Sequence, residues 1–454
     1  MKKDMTVGQP WKLILAFGIP LVIGNIFQQF YNMVDSIIVG KYVGKIALAA
    51  VGSTGSLNFM IIGFGIGICS GFGIPIAQSF GGKKTTEMKK YIINSFYLCA
   101  IITLCMTIIT VLALPAVLRL MQTPQDIYEQ AYEYIVVIFM GLFATMIYNM
   151  LSSLLRAIGD SKTPLYFLIL SSVINVALDL LFITQFQMGS VGAAYATVIA
   201  QFVSGIACYI YIRLKTDILI FTNEERKWDQ KYCLTLLQMG LPMALQFSIT
   251  ALGSIVIQSA VNTLGSDVVA AITAAMKISL MLTQPLETLG LTMATYGGQN
   301  LGARQIQRIF DGLKVSLLIG AIYCVFAFVF VFLTSDYLSL LFINAHETVI
   351  INEIKQYLLI NSISYYILSI LFILRNLLQG LGYSFFAMFG GVAEMIARCI
   401  IAFCFVGLFQ FNAICFANPM AWIFADIVFV TGWFLKRKEL RKIEQQDHVI
   451  VEND

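Results

Sequence analysis

The chain has 454 residues, of which 59% are hydrophobic and only 12% charged, about half the charged share of soluble domains. That balance excludes an ordinary water-soluble enzyme or nucleic-acid binder. It leaves a polytopic membrane protein with length enough for a dozen spans of ~20 apolar residues. The net charge of +4 gains meaning only once the charges are placed.

Apolar runs bounded by charge, Gly or Pro predict twelve helices, over 11–39, 46–78, 91–116, 132–156, 164–186, 190–214, 235–263, 267–297, 309–334, 353–379, 384–409 and 413–435. The first run is too long for a signal-peptide core and lacks a small-residue cleavage site, so it is expected to be retained. The nine cysteines form no C-x-x-C pair, and most sit in apolar runs as small hydrophobic residues, so neither a disulfide framework nor a zinc site is expected. The termini and even-numbered loops hold about 23 Lys and Arg, and the odd-numbered loops hold only Lys41, Lys45, Arg119 and Lys355. This bias places both termini on the cytoplasmic side of the cell membrane.

The longest internal linker, 215–231, divides the spans into two sets of six, and the sets repeat. Gly18-Ile19-Pro20 recurs as Gly240-Leu241-Pro242, and Ala47-Leu48-Ala49-Ala50 as Val268-Val269-Ala270-Ala271. Ala77-Gln78-Ser79-Phe80-Gly81-Gly82 recurs as Gly298-Gln299-Asn300-Leu301-Gly302-Ala303, and Leu155–Ser161 as Leu378–Ser384. All four matches fall at an offset of about 221–223. Six spans per half give both halves one orientation. The expected fold is therefore an all-α integral membrane protein, twelve transmembrane helices in two six-helix lobes related by a parallel pseudo-two-fold. The expected divisions are an N-terminal lobe 1–214, a cytoplasmic linker 215–234, a C-terminal lobe 235–436 and a cytoplasmic tail 437–454.

Ionisable groups inside such spans are costly, by about 2.5 kcal/mol or more for a carboxylate, and default to functional candidates. Asp35 is the only charge in the run from Leu13 to Gly40. Counting ~1.5 Å per residue from the helix ends puts Asp35, Asn175, Asp179 and Thr197 at similar depth in the outer half of the first lobe, with Tyr31 one turn below Asp35. Two carboxylates, an amide and a hydroxyl at one level suit an oxygen-rich Na⁺ site, and equally suit a shared proton. The second lobe carries Lys277, Glu394, Arg398 and Asp426 near mid-depth, with Glu394 and Arg398 spaced to pair on one helix face; either a structural ion-pair network or substrate and cation handling fits them. Pro20, Pro242 and Pro285 lie inside spans and are expected to bend them. Gly63, Gly67 and Gly71 form a small-residue stripe for close packing.

Taken in order, several stretches resemble the multidrug and toxic compound extrusion family over about residues 10–435. They are Ile19-Pro20, Asp35-Ser36-Ile37-Ile38-Val39-Gly40, Ala47–Ala50, Arg156–Pro164 leading to Asn175 and Asp179, Gly192–Thr197, and Gly298–Ala303. The resemblance implies a twelve-helix antiporter exporting cationic or amphipathic compounds against inward Na⁺ or H⁺. Asp35, Asn175, Asp179 and Thr197 match the cation-site positions of its prokaryotic branch with a first-lobe site. Another branch places acids in helices 7 and 10; here helix 7 has Gln246, so a second-lobe site of that kind is not expected.

The expected function is secondary active multidrug export by alternating access. A flippase of lipid-linked saccharides or another amphipathic substrate is the alternative. A membrane enzyme is disfavoured because the only histidines are His346 and His448, outside the spans, and no ATP-binding P-loop motif is present. No cofactor beyond the coupling ion H⁺ or Na⁺ is expected. The expected partners are small amphipathic or cationic substrates and the lipid bilayer, with no nucleic acid and a monomeric chain.

Overall fold

The computed structural model describes residues 4–121, 123–343 and 346–452, and these are helical apart from short connections and the linker before α9. Residues 1–3 and 453–454 of the expected lobe and tail, and the side chain of His448, lie outside that description. Inside a bilayer each backbone N–H and C=O must be satisfied within its own segment, which is why apolar runs of this length fold as helices.

The helices are α1 Pro10–Ile38, α2 Lys45–Ser53, α3 Gly55–Gly81, α4 Thr85–Leu120, α5 Gln125–Met140, α6 Leu142–Ala157, α7 Lys162–Leu180 and α8 Gly189–Lys215. After the linker follow α9 Gln230–Asn262, α10 Ser266–Gly302, α11 Ile306–Leu340, α12 Thr348–Ile363, α13 Tyr365–Gly380, α14 Phe385–Ile400, α15 Val406–Phe409 and α16 Phe411–Glu452. Among the described residues, ten spans are long and apolar enough to cross a membrane, and the bent pairs α5–α6 (47°) and α12–α13 (50°), each taken as one span, bring the number to twelve. The two breaks, at Gly141 and Ser364, lie 223 residues apart, at matching places in the two halves. The predicted second span is interrupted at Thr54 between α2 and α3. In contrast, α1, α9 and α10 run without interruption through Pro20, Pro242 and Pro285.

The duplication is written into the backbone. Among the described residues, eight of the ten with positive φ fall in pairs: Gly44 with Gly265, Lys83 with Arg304, Gly159 with Gly382, and Gln187 with Gln410. Two of the repeated sequence motifs are thereby explained as helix C-terminal caps. Lys84 N–H donates to Ser79 C=O at 3.0 Å and Gln305 N–H to Asn300 C=O at 2.8 Å. Asp160 N–H likewise reaches Leu155 C=O and Tyr383 N–H reaches Leu378 C=O, both at 2.9 Å. Each is the six-residue closure in which the capping position takes a positive φ, the role glycine fills without strain. Asp160 then starts α7, its carboxylate accepting from Thr163 N–H at 3.0 Å and Thr163 Oγ1 at 2.7 Å.

Two compact units emerge. The first holds residues 19–80 and 84–244, and the second 4–18, 81–83 and 245–454. The divisions inside α1 and α9 thus fall beside Pro20 and Pro242, so each of these helices contributes its first turns to the unit of the other half. In the first unit, Ile68, Phe72, Ile76, Ile92, Leu154 and Leu236 form one buried core. There α9 lies backbone to backbone on α3: a Cβ at Gly71 would meet Gly240 Cα at 2.5 Å, and one at Gly67 would meet Ala244 Cα at 2.6 Å. The linker is fastened to α4. Asp229 N–H donates to Asn94 Oδ1 at 3.0 Å, and Tyr97 O–H to Arg226 C=O at 3.0 Å.

In the second unit, Ala271, Ala275, Val331, Ile354, Leu358 and Cys415 belong to a core joining α10, α11, α12 and α16. The segment before α1 is gripped there. Met5 N–H donates to Gln299 Oε1 at 2.9 Å, and Asn300 Nδ2 and Arg308 Nη2 both donate to Met5 C=O, at 3.3 and 3.2 Å. Arg308 Nη1 donates to Gly8 C=O at 2.9 Å.

Candidate functional site

Four helices of the first unit meet at one site, and three of them carry the predicted polar residues. α1 supplies Tyr31 and Asp35, α7 supplies Asn175 and Asp179, and α8 supplies Thr197. Asn175 and Asp179 lie one turn apart on the same face and are buried at 1% and 0% exposure. One amide orientation satisfies both neighbours of Asn175. Its nitrogen donates to Asp179 Oδ2 at 2.9 Å, and its oxygen accepts from Thr197 Oγ1 and Thr197 N at 3.2 Å. The reverse orientation makes only the bond from Asn175 Nδ2 to Thr197 Oγ1, at 3.2 Å, and turns the amide oxygen on the carboxylate.

The Asp35 and Asp179 carboxyl groups lie within hydrogen-bond reach of each other, and the Tyr31 hydroxyl reaches Thr197. One oxygen of each carboxyl group, Asp35 Oδ1 and Asp179 Oδ1, is buried with no partner. Orphaned carboxylate oxygens at this depth call for a proton or a cation. The fourth helix, α5, contributes a residue that sequence reasoning passed over. Tyr134 is buried and stands within electrostatic reach of Asp35, Tyr31 and Asp179. Its only sequence signal is a phenol in an apolar run, shared with many of the 20 tyrosines.

Both acid-bearing helices change winding just past the site. A π-helical turn, Val39–Val43, follows α1, and another, Leu181–Gln185, follows α7. Such turns widen the helix and recur at functional positions.

The second unit carries a different arrangement. Arg398 Nη2 pairs with Glu394 Oε2 at 3.3 Å, both side chains under a tenth exposed. Arg375 lies near Glu394 and Glu287, so these charges and Arg398 alternate in sign across α10, α13 and α14, and Asp426 of α16 flanks the chain beside Glu394. Lys277 stands exposed on α10 and is not brought into that chain. A Cβ at Gly253 would meet Arg398 Nη1 at 3.1 Å, so the glycine makes room for the guanidinium. Here too a π-helical turn, Ile401–Phe405, follows the polar pair.

Among the described residues, no group of three His, Cys, Asp or Glu side chains gathers as a metal site. At Asp35 and Asp179 a cation would have to complete its shell with amide and hydroxyl oxygens.

Comparison with known proteins joins these observations. The family model described as MatE matches this chain twice, over residues 20–181 and 242–404. The two matches begin 222 residues apart, the offset of the internal repeat. The chain is 30% identical over 352 residues to "Probable multidrug resistance protein YoeA" of Bacillus subtilis, covering 75% of each chain. It is 28% identical over 408 residues to "Probable multidrug resistance protein YpnP" of the same organism, covering 90% of each. Among solved structures, an outward-facing multidrug resistance MATE transporter superposes with a TM-score of 0.88 at 22% identity, over 97% of this chain and 98% of that one. The double family match, the duplicated twelve-span body and the near full-length relatives make this chain a member of the MATE family of multidrug efflux transporters.

Proposed function

We propose that the protein is a proton-coupled antiporter of the cell membrane, with cytoplasmic termini, that expels cationic or amphipathic compounds by alternating access. The approach of the Asp35 and Asp179 carboxyl groups to hydrogen-bond distance carries this reading. Two carboxylates so close in a poorly hydrated site do not both stay ionised, and a shared proton resolves the conflict. Asn175 supports the proton over Na⁺. Its nitrogen faces Asp179 and its oxygen is engaged by Thr197, so a metal ion there would lack the oxygen shell that Na⁺ requires.

In the cycle, a proton from outside binds the pair and removes a net negative charge from the first unit. That loss weakens the hold on a cationic substrate, which departs outward. The inward-open form then gives the proton to the cytoplasm. Asn175 and Thr197 hold Asp179 in place through both states, and α1 carries the change at Asp35 along the helix that contains Pro20.

The test is reconstitution in liposomes with a fluorescent cationic dye. Efflux is expected under an imposed pH gradient and absent under an imposed Na⁺ gradient at equal pH. Asp35→Asn is expected to abolish gradient-driven efflux. Efflux driven by Na⁺ alone would overturn the ion assignment, and undiminished efflux by Asp35→Asn would overturn the coupling role. Transport of lipid-linked saccharides without dye efflux would replace the substrate class.

A further inference from the structure

The lipid-facing side of α16 changes character where its apolar run ends. Ile423, Ile427, Thr431 and Leu435 are exposed at spacings of four, with exposed Phe434 beside Leu435, on one helix face. The same stripe continues as Lys438, Arg441 and Lys442, all exposed. The helix does not stop at this boundary. It runs 42 residues, about 63 Å at ~1.5 Å per residue, roughly twice the thickness of a hydrocarbon core.

The opposite side of this stretch is fastened to the second unit. Trp433 and Leu440 are buried. Phe310 of α11 meets the Trp433 ring edge-on at 5.7 Å, and Lys436 lies 4.3 Å over the Tyr383 ring while donating to Glu439 at 2.8 Å. The Arg437 guanidinium rests over Phe310 at 5.8 Å, and its Nε is buried without a hydrogen-bond partner. The helix is therefore held against rolling, and the basic stripe keeps its orientation. Residues 436–442 hold five basic side chains and one acidic one, Glu439, which Lys436 neutralises. Among the described residues no ion pair joins Arg437, Lys438 or Arg441, and Lys442 stands within electrostatic reach of the same Glu439.

We propose that this stretch binds the phosphate head group of an anionic phospholipid, with Lys438, Arg441 and Lys442 on the phosphate and the acyl chains along Ile427, Phe434 and Leu435. Charge complementarity selects an anionic partner, since each basic group at a membrane surface contributes roughly fivefold to binding an anionic lipid. Continuity with the lipid-facing stripe selects a lipid over a soluble acidic peptide, because only a lipid occupies the apolar and the basic parts of one face together.

The probe is phosphatidylglycerol against phosphatidylcholine, supplied to the purified full-length protein in mixed micelles. Retained lipid is read by native mass spectrometry and melting temperature in parallel. The wild type is expected to retain phosphatidylglycerol preferentially and to melt higher in its presence. The triple variant K438Q/R441Q/K442Q is expected to lose about a hundredfold in that preference, at roughly fivefold per charge. The charge-keeping triple K438R/R441K/K442R is expected to stay within about threefold of wild type, since the surface attraction depends on charge. Equal phosphatidylglycerol retention by the neutral triple overturns the proposal, as does displacement of the lipid by a soluble acidic peptide at equal charge. Should the neutral triple fail to fold, a salt titration of the wild type decides. The preference is expected to collapse toward about 1 M salt, where screening is nearly complete, and an unchanged preference overturns the site.

Discussion

At the scale of single residues, Asp179 is the centre of the candidate site. It is fully buried, touches Asn175 and Asp35, and leaves one oxygen unpartnered. Its neutral analogue Asp179→Asn keeps the shape but removes the exchangeable proton. It is expected to bind dye within about threefold of wild type while losing proton-driven efflux by about tenfold or more, the scale of a lost charge-assisted bond. Equilibrium dye binding and efflux on one preparation check the split, and parallel losses in both would assign Asp179 to the substrate instead. A second residue-scale prediction concerns strain. Lys83 and Arg304 sit at φ 55° and 57°, a conformation costing a residue with a Cβ about 1–2 kcal/mol. Lys83→Gly is expected to raise the melting temperature, and a lowered one would show that the lysine side chain outweighs its backbone cost. Asp35, Asn175, Asp179 and Thr197 were legible in the sequence because polar groups in apolar runs stand out, and helix rise converts spacing into depth. Tyr134 was not, because an aromatic residue in a span carries no mark of which neighbour it faces. Nor was the separation of Lys277 from Glu394, since depth along a helix does not fix rotation about it.

At the scale of elements, the twelve spans and their repeat were legible because hydrophobic length dictates helices in a bilayer. Their interruptions were not. Gly141 and Ser364 break spans at matching positions, yet neither differs from the many glycines and serines that helices tolerate. Pro20, Pro242 and Pro285, expected to bend their spans, lie inside continuous helices. The crossing of α1 and α9 between units was equally hidden, since it depends on packing partners rather than on local pattern. The crossing of α9 rests on glycine contacts that leave no space for a side chain. Gly71→Ala would place its Cβ 2.5 Å from Gly240 Cα, and overpacking of this kind costs about 1–3 kcal/mol. A lowered melting temperature in detergent is the expected result, with Gly52→Ala, whose Cβ meets nothing within 4 Å, as the control. The segment before α1 is held chiefly by Arg308, whose guanidinium bonds Met5, Gly8 and Asn300. Arg308→Ala is expected to speed amide exchange at residues 5–9 while α11 stays protected. Unchanged exchange there would show that Gln299 and Asn300 hold the segment unaided.

At the scale of the whole molecule, two halves with the same backbone plan carry opposite electrostatic designs. In the first, two carboxyl groups approach one another with an amide and hydroxyls around them. In the second, Glu287, Arg375, Glu394 and Arg398 alternate in sign, and Asp426 flanks the chain. The parallel is close: Asn175 with Asp179, and Glu394 with Arg398, are each one turn apart, and each pair is followed within three residues by a π-helical turn. At the 223-residue offset that pairs Gly159 with Gly382, Arg398 stands where the first half has Asn175, and Glu394 where it has Ser171. Arg398 pairs with its carboxylate inside the second half, whereas among the described residues no Lys or Arg pairs with Asp35 or Asp179. On the proposed function, coupling is assigned to the first half and the Glu394–Arg398 pair to structure. The two roles separate experimentally because a buried pair responds differently to losing one member or both. Arg398→Met leaves Glu394 without its near partner and is expected to cost about 3–5 kcal/mol, read as poor expression and a low melting temperature. The double variant Glu394→Leu with Arg398→Met removes both charges and is expected to recover most of that stability, as apolar replacements of buried pairs do. If the pair is structural, the recovered protein moves dye under a pH gradient at a rate within about twofold of wild type, a difference of less than ~0.5 kcal/mol in the rate-limiting barrier. A double variant that melts like wild type yet no longer transports would place part of the transport cycle in the second half.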